Sequence, residues 1–225
     1  MVYNRMQEAH AKMKIGIIGS GVVGTTLATG FSQADHTVRL GTGSRDKIPE
    51  LSQASNDKYQ VAEFAQVADW AEVIILCVKG SVAEKVVRSL TPQIANKPII
   101  DTTNPITDAP PVDGVLEYFT DQNESLMERL QAIAPEAKFV KAFNSVGAGV
   151  MVHPKFATTP TMYVCGDTDG KQIVSPLVSS LGWEVEDLGA MAAARPIEDL
   201  CKLWCISGFQ GNDWMHAIKH IRATH

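Results

Sequence analysis

Residues Met13–Gly24 read Met-Lys-Ile-Gly-Ile-Ile-Gly-Ser-Gly-Val-Val-Gly, and this stretch decides the fold of the chain. Ile15, Ile17 and Ile18 form a short apolar run that is typical of a buried parallel strand. The G-x-G-x-x-G of Gly19–Gly24 follows at once and opens a stretch with apolar residues at helical spacing. A glycine fingerprint placed between a strand and a helix predicts a dinucleotide-binding turn.

Each glycine of this turn has a physical role. Gly19 permits the tight turn, Gly21 lets the backbone approach a pyrophosphate, and Gly24 lets the helix pack against the strand. The helix N-terminus then offers free N–H groups and a partial positive charge to phosphates. The alternative is an ordinary glycine-rich turn, but the strand-to-helix context favours the dinucleotide site.

The composition predicts one globular domain. The 225 residues are 45% hydrophobic, and the net charge of −5 with no basic run argues against nucleic acid as a partner. The uncharged stretch 15–34 is rich in glycine, which argues for strand–turn–helix and against a membrane span. Residues 1–12 lack the apolar core of a signal peptide. The four cysteines are expected to pack in the core, which suits a cytoplasmic protein.

Strand and helix patterns alternate along the rest of the chain. Strands are predicted at 15–18, 37–40, 73–78, 98–105, 138–144, 161–165 and 183–188. A helix and a loop are expected in 47–66, and capping boxes at Ser81–Glu84 and Ser125–Glu128 predict two helix starts. The pattern predicts an α/β Rossmann fold: a doubly wound, mostly parallel sheet with helices on both faces and a small C-terminal helical elaboration. We expect a single domain at 13–225, preceded by an extension at 1–12.

The carboxyl ends of the strands indicate where a ligand binds. In a doubly wound sheet, ligands bind in the crevice outside these ends. This rule places the turn Gly19–Val23, the pair Val78 and Lys79, and the side chains of Asn104 and Asn144 around one crevice.

The end of the second strand favours NADP over NAD. NAD enzymes usually place Asp or Glu there to bind the ribose 2′-hydroxyl, whereas this chain reads Gly41-Thr-Gly-Ser-Arg-Asp-Lys47. Arg45 can pair with a 2′-phosphate, and Ser44 and Thr42 can donate further hydrogen bonds. The alternative is a solvated turn rich in glycine and serine.

Several segments together resemble one family. The chain resembles the coenzyme F420-dependent NADP oxidoreductases, small reductases that pass hydride between NADP and a deazaflavin, and it is also similar to the cytosolic domain of the six-transmembrane metalloreductases. The matching segments are 15–24, 43–45, 100–105, 139–145, 166–167 and 194–204.

The resemblance implies a cofactor site. It implies that Gly19, Ser20, Gly21, Val22 and Val23 hold the pyrophosphate, that Ser44 and Arg45 hold the 2′-phosphate, and that Asn104, Ala142 and Asn144 lie beside the nicotinamide. It also implies a homodimer. The 41–47 turn is about two residues longer than in the family, and Lys79 replaces a residue that is often neutral there. Two roles stay open for Lys79, a phosphate ligand or a solvated side chain.

The sequence names no catalytic side chain and no metal site. A carbonyl reductase needs a positioned acid, but none of the four tyrosines has a lysine four residues later. Hydride transfer to a deazaflavin (coenzyme F420) or a flavin needs orientation and exclusion of water instead. The sequence therefore predicts an NADP(H)-dependent oxidoreductase that acts on such a small-molecule acceptor. The alternatives are a reductase of another small molecule and an NADPH sensor without turnover.

The pocket, the 105–124 segment and three histidines bear on the choice between these alternatives. A reductase requires an open pocket lined by Asn104, 145–151 and Trp204, whereas a sensor would have it filled. The long 105–124 segment is expected to be functional or mobile, and its Tyr118 and Phe119 either stack on an acceptor or pack as apolar bulk. His153 is a candidate neighbour of the nicotinamide. His216 and His220 have helical spacing that could bind a metal, but two surface histidines on a helix are the favoured prediction.

Overall fold

The computed structural model describes residues 11–223, so most of the predicted 1–12 extension lies outside the described residues. The strands are β1 Lys14–Ile18, β2 Thr37–Thr42, β3 Gln60–Glu63, β4 Val73–Leu76, β5 Pro98–Asp101, β6 Lys138–Lys141, β7 Thr161–Gly166 and β8 Glu184–Asp187. The α-helices are α1 Val22–Gln33, α2 Ile48–Ser55, α3 Phe64–Trp70, α4 Gly80–Ile94, α5 Leu126–Ile133, α6 Thr168–Ser180 and α7 Ala194–Gly211. Short 3₁₀ turns lie at Arg45–Lys47, Ala148–Val150 and Met191–Ala193.

The strands form one sheet in the order β3-β2-β1-β4-β5-β6-β7-β8. The strands from β3 to β6 are parallel, β7 is antiparallel to β6, and β8 is parallel to β7. A parallel neighbour needs a long crossover, usually helical, but the 142–160 connection contains only a 3₁₀ turn among its regular elements. The reversal of β7 follows from this short return, and the predicted mostly parallel Rossmann sheet is confirmed.

The core has one layer on each face of the sheet. On one face, Leu27 and Phe31 of α1 pack with Leu177 of α6. On the other face, Val87 of α4 and Leu130 of α5 pack with residues of α3. Helices therefore cover both faces, as the alternating pattern predicts. A smaller cluster, Leu116, Cys201, Trp204 and Cys205, lies between α7 and the 105–124 segment.

One strand was missed in the 47–66 region. The sequence predicts a helix and a loop there, but the structure also contains the edge strand β3 and the start of α3. The β3 sequence is Gln-Val-Ala-Glu and is only half-buried, so it lacks the apolar run that identifies the inner strands. Glu63 ends β3 and caps α3 in a capping box with Gln66.

The two predicted helix starts have different outcomes. The Ser125–Glu128 capping box is confirmed, because the Ser125 side chain accepts the Glu128 N–H and the Glu128 side chain accepts the Ser125 N–H. The Ser81–Glu84 box is wrong, since α4 already begins at Gly80 with Lys79 at the N-cap. Gly80 lies against the carbonyl group of Asn104, where a Cβ atom would collide. The helix therefore begins two residues before Val82, where a Ser81 cap would start it.

The segment 212–222 after α7 is not helical, contrary to the prediction for His216 and His220. The helix ends where Asn212 adopts a left-handed conformation with φ 52°. The segment then folds back on the sheet, with the Thr161 N–H donating to the carbonyl oxygen of Ile218 at 2.8 Å. Among the described residues, no helix has the length and apolar character needed to cross a membrane.

Candidate active site

The glycine turn has the geometry that its sequence predicts. Gly19 has φ 127°, and a Cβ atom there would collide with the carbonyl group of Cys77. A Cβ atom at Gly24 would collide with the carbonyl oxygen of Gly19. At Gly21, by contrast, nothing in residues 11–223 lies within 4 Å of a Cβ position. Gly19 and Gly24 therefore fix the turn, while Gly21 faces open space.

Helix α1 begins directly beyond this open space. Gly21 is its N-cap, and within the described chain no side chain caps this end. The N–H groups of the first turn, which includes Val22 and Val23, are therefore available to an anion. Ser20 is half-buried beside them, and Val22 is exposed. The five predicted pyrophosphate residues thus form one continuous surface around Gly21.

A separate cavity of about 390 Å³ lies where the sequence predicts the 2′-phosphate. Its lining includes Thr42 and Arg45, which the sequence predicts, and Glu63, which it does not. The Arg45 guanidinium forms an ion pair with the Glu63 carboxylate, with Nη2 at 3.2 Å from Oε2. Ser44 is fixed beside them, since its N–H donates to the Thr42 hydroxyl at 3.3 Å. The sequence missed Glu63 because it missed β3.

A cavity of about 310 Å³ lies at the carboxyl ends of β4 and β5, where the sequence predicts the nicotinamide. Its lining residues come from α1, from the turn after β4 and from the segment after β5: Val23, Cys77, Val78, Lys79, Gly80, Ser81, Thr102, Thr103, Asn104, Ile106, Thr107 and Asp108. Lys79 is exposed at its rim. Burial raises the pKa of the Cys77 thiol to about 12, so this thiol stays protonated at neutral pH.

Asn104 and Asn144 hold each other across the ends of β5 and β6. The Asn104 Nδ2 donates to the carbonyl oxygen of Asn144 at 2.8 Å, and the Asn144 Nδ2 donates to Asn104 Oδ1 at 3.0 Å. Asn144 Nδ2 also donates to the carbonyl oxygen of Ile197 at 2.9 Å. Ala142 and Asn144 are buried, and among the described residues of this clamp only Asn104 lines the cavity. Ala142 and Asn144 thus do not line this cavity, and their place beside a nicotinamide stays a prediction.

A buried ionic triad, which the sequence reasoning missed, lies next to this clamp. The Lys141 ammonium is fully buried and lies 2.6 Å from Asp101 Oδ2 and 2.7 Å from Glu198 Oε1. It also donates to the carbonyl oxygen of Thr103 at 2.8 Å. Burial alone lowers the pKa of Lys141, but the Asp101 and Glu198 carboxylates raise it above its ordinary value. The signal was a lysine in the apolar strand sequence 138–143, where a charge requires buried partners.

The carboxylates of the triad make further bonds. Glu198 accepts the N–H groups of Leu126 and Met127 at 2.9 and 3.1 Å, and it thereby stabilises the start of α5. Asp101 Oδ1 accepts the N–H and hydroxyl of Thr103 at 2.9 and 2.7 Å. The triad therefore connects β5, β6, α5 and α7 directly behind the cavity.

The expected pocket wall at 145–151 is covered. A Cβ atom at Gly147 would lie 2.8 Å from the Trp204 ring, and one at Gly149 would lie 3.2 Å from the Met215 sulfur. Trp204 itself stacks on His216, with the ring centroids 4.9 Å apart. Helix α7 and the segment after it therefore close this side, and the open cavity lies on the side of β4 and α4 instead.

The 105–124 segment folds back as a loose hairpin with isolated bridges between Ile106 and Tyr118 and between Val112 and Val115. Tyr118 packs against α7, where its hydroxyl donates to the carbonyl oxygen of Glu198 at 2.7 Å. Burial raises the Tyr118 pKa. Phe119 packs in the core beneath the Arg129 guanidinium. For both aromatic residues, packing is the observed role.

The described histidines, and the cysteines other than Cys77, are not among the residues that line the cavity at the ends of β4 and β5. The N–H of His153 donates to the carbonyl oxygen of Leu181 at 2.7 Å, and His220 Nδ1 lies 3.3 Å from the Tyr163 hydroxyl. No cluster of metal-ligating side chains occurs within residues 11–223. Cys201 and Cys205 are free thiols one helical turn apart, with their sulfur atoms 3.9 Å from each other.

Comparisons with known proteins agree with this geometry. Residues 14–105, which contain the glycine turn and the cavity lining as far as β5, match the model of the family described as NADP oxidoreductase, coenzyme F420-dependent. A solved structure from Arthrobacter sp. FB24 has the provisional description of an F420-dependent NADP reductase. It is 29% identical, has a TM-score of 0.85 and covers 93% of this chain and 100% of its own.

Two curated relatives extend the similarity. The F420-dependent NADP reductase of Methanothermobacter marburgensis is 26% identical, over 85% of this chain and 90% of its own length. The metalloreductase STEAP3 of Rattus norvegicus is 27% identical over 82% of this chain, but the chain spans only 36% of that protein.

These findings confirm the resemblance that the sequence motifs carry. The family and its members among these relatives are NADP-dependent oxidoreductases, which confirms the predicted class and cofactor at the level of the family. The chain is similar to the F420-dependent NADP reductases over most of its length, and residues 14–105 match the family model.

Proposed function

We propose that this protein transfers a hydride between NADP(H) and a deazaflavin or flavin-like acceptor. The carrying observation is the cavity of about 310 Å³ that begins at Val23 in the first turn of α1 and extends along the ends of β4 and β5. An acceptor ring in this cavity would lie beside a nicotinamide whose pyrophosphate rests on the glycine turn.

The residues present fit NADP(H). The open space over Gly21 would accept a pyrophosphate, and the cavity lined by Thr42 and Arg45, with Ser44 bonded to Thr42, would accept a phosphorylated ribose. When bound, NADPH supplies the hydride. Asn104 would orient the nicotinamide, and Asn144 fixes Asn104 through two hydrogen bonds. Lys79 at the rim adds a positive charge that attracts anionic ligands.

The lining of the cavity supports an acceptor of flavin type. Among the described lining residues there is neither tyrosine nor histidine, and the Cys77 thiol is protonated and poorly acidic. Reduction of a carbonyl would require a positioned acid for the developing alkoxide, whereas a flavin-like ring accommodates the charge itself. The chain would contribute orientation and exclusion of water.

The test is NADPH oxidation by the purified protein, with coenzyme F420, FMN, FAD and a ferric chelate offered in parallel. Turnover with F420 or a flavin supports the proposal. Tight NADPH binding with no oxidation on any of these acceptors would overturn it.

A second candidate is an NADPH-binding sensor without turnover. The observation that favours it is the covering of Gly147 and Gly149 by Trp204 and Met215, which fills the side where an open pocket was expected. A sensor would bind NADPH in the assay above and leave every acceptor unreduced.

We also propose a homodimer in the cytoplasm. Leu203, Phe209 and Met215 expose large apolar side chains on α7 and the segment that follows it, which suits a subunit contact. Light scattering during size-exclusion chromatography tests the dimer. A monomeric mass at micromolar concentration would contradict it, and fluorescent tagging of the expressed protein tests its location.

A further inference from the structure

Glu63 places a carboxylate inside the cavity that would receive the 2′-phosphate. We propose that Glu63 is a specificity-determining residue that weakens the preference for NADPH over NADH, because it binds Arg45 and repels the 2′-phosphate. The inference rests on the proposed binding of NADP(H), and it names a residue that the glycine fingerprint and the Arg45 turn do not include.

The contact between Glu63 and Arg45 supports this role. Arg45 Nη2 lies 3.2 Å from Glu63 Oε2, and Nε lies against Oε1, so both carboxylate oxygens face the guanidinium. This is the geometry in which arginine binds a phosphate. Glu63 therefore occupies the position on Arg45 that a 2′-phosphate would take.

The carboxylate stays in the cavity when Arg45 moves to a ligand. Glu63 is the N-cap of α3, where its side chain accepts the N–H of Gln66 and its own N–H donates to the Gln66 side chain at 3.3 Å. The Glu63 side chain is 33% exposed, whereas that of Arg45 is 81% exposed. A bound 2′-phosphate would thus meet a capped, partly buried negative charge beside the more exposed positive one.

The size of the effect follows from these charges. An exposed ion pair is weak, so its disruption alone changes affinity by up to about fivefold. Repulsion between a carboxylate and a dianionic phosphate a few ångströms away in a hydrated cavity adds a similar factor. Removal of the Glu63 charge should therefore tighten NADPH binding about tenfold, and NADH binding should stay within about twofold.

The experiment measures dissociation constants of NADPH and NADH by fluorescence titration for the wild type, Glu63→Gln and the double variant Arg45→Ala/Glu63→Gln. Glutamine keeps a side-chain oxygen that can accept the Gln66 N–H, and thermal unfolding checks that α3 stays capped. Glu50→Gln is the matched control, because Glu50 is an exposed acid on the neighbouring helix α2. In an Arg45→Ala background only the repulsion remains, so the tightening caused by Glu63→Gln should fall from about tenfold to less than about fivefold.

The changes in NADPH and NADH affinity separate the possible roles of Glu63. Selective tightening of NADPH in Glu63→Gln, with Glu50→Gln unchanged, supports the inference. Equal changes for both cofactors, no change, or a selective loss of NADH affinity would overturn it, and the last would mean that Glu63 binds the ribose 2′-hydroxyl. Failure of the wild type to bind either cofactor would instead overturn the proposed function together with this inference.

Discussion

The Lys141 ammonium, on β6, lies 2.7 Å from the Glu198 carboxylate, on α7, and neither side chain is accessible to solvent beyond 2%. The contact connects residues that are far apart in sequence, and Asp101 completes it from β5 at 2.6 Å. One positive charge lies between two negative charges, so Lys141 alone does not balance both carboxylates. Hydrogen bonds from the N–H groups of α5 and Thr103 to these carboxylates provide further stabilisation. This buried network supports the wall of the cavity at the ends of β4 and β5, because Lys141 also bonds to Thr103 in its lining.

Replacement of Lys141 should destabilise the protein strongly. Lys141→Met leaves Asp101 and Glu198 buried without a counter-charge, which costs about 3–5 kcal/mol in free energy of unfolding. Lys138→Met is the control, since Lys138 makes a more exposed pair with Asp169 and its loss should cost less than about 1 kcal/mol. Urea unfolding measures both values. Equal losses for the two variants would contradict a structural role for the triad.

The triad should also give an alkaline dependence of stability. Burial lowers the pKa of Lys141, and Asp101 and Glu198 raise it by more, so the folded value lies above the ordinary 10.5. The corresponding stabilisation is fully present below pH 10.5 and is lost as pH rises from there through the folded pKa. Urea unfolding from about pH 8 to 11 should show the loss in the wild type and in Lys138→Met. A Lys141→Met variant with the same alkaline slope would exclude Lys141 as its source.

Two glycine substitutions should separate folding from binding. Gly21→Ala adds a methyl group where nothing in residues 11–223 lies within 4 Å, so unfolding free energy should change by less than about 1 kcal/mol. NADPH affinity should nevertheless fall at least about tenfold, because the methyl group stands where the pyrophosphate approaches. Gly24→Ala should instead destabilise the fold, since its methyl group meets the Gly19 carbonyl oxygen. Unaltered NADPH binding by Gly21→Ala would place the pyrophosphate elsewhere.

Arg45→Ala should reduce affinity for NADPH about tenfold or more and leave NADH within about twofold, because only NADPH has a 2′-phosphate for the guanidinium. Lys47→Ala is the matched control, as Lys47 is an exposed cation in the same 3₁₀ turn. Titration at low and high salt should show that the NADPH difference shrinks as ionic strength rises. A parallel loss for both cofactors would indicate that Arg45 serves the turn and not the phosphate.

The sequence predicts those parts of the site that depend on local chemistry. The turn at Gly19–Gly24 and the position of Arg45 follow from short-range patterns, since each requires particular residues at fixed spacing. The buried strands are identified by apolar runs, and the Ser125–Glu128 cap by its reciprocal bonds. The structure contains each of these features, although β4, β5 and β6 end earlier than predicted.

The remaining features depend on contacts between distant segments. Glu63 was missed because β3 is a short, polar edge strand, and its relation to Arg45 exists only once β2 and β3 pair. The cover over Gly149 depends on where residues 212–217 fold back, which no local pattern specifies. The partners of Lys141 likewise come from β5 and α7, so the lysine alone indicates that partners exist but not which ones.

The cap that Glu198 provides for α5 has a consequence for the order of folding during synthesis. Until residue 198 has left the ribosome, Lys141 has only one of its two carboxylate partners, and α5 begins with two N–H groups that lack their acceptor. The part of the chain up to Lys141 therefore cannot complete its interior when its synthesis ends. Residue 198 follows about sixty residues later, which takes on the order of several seconds at typical rates of synthesis. Helix α7 therefore completes the buried contacts of the earlier elements. A nascent chain that stops short of it would remain an incomplete, protease-sensitive intermediate.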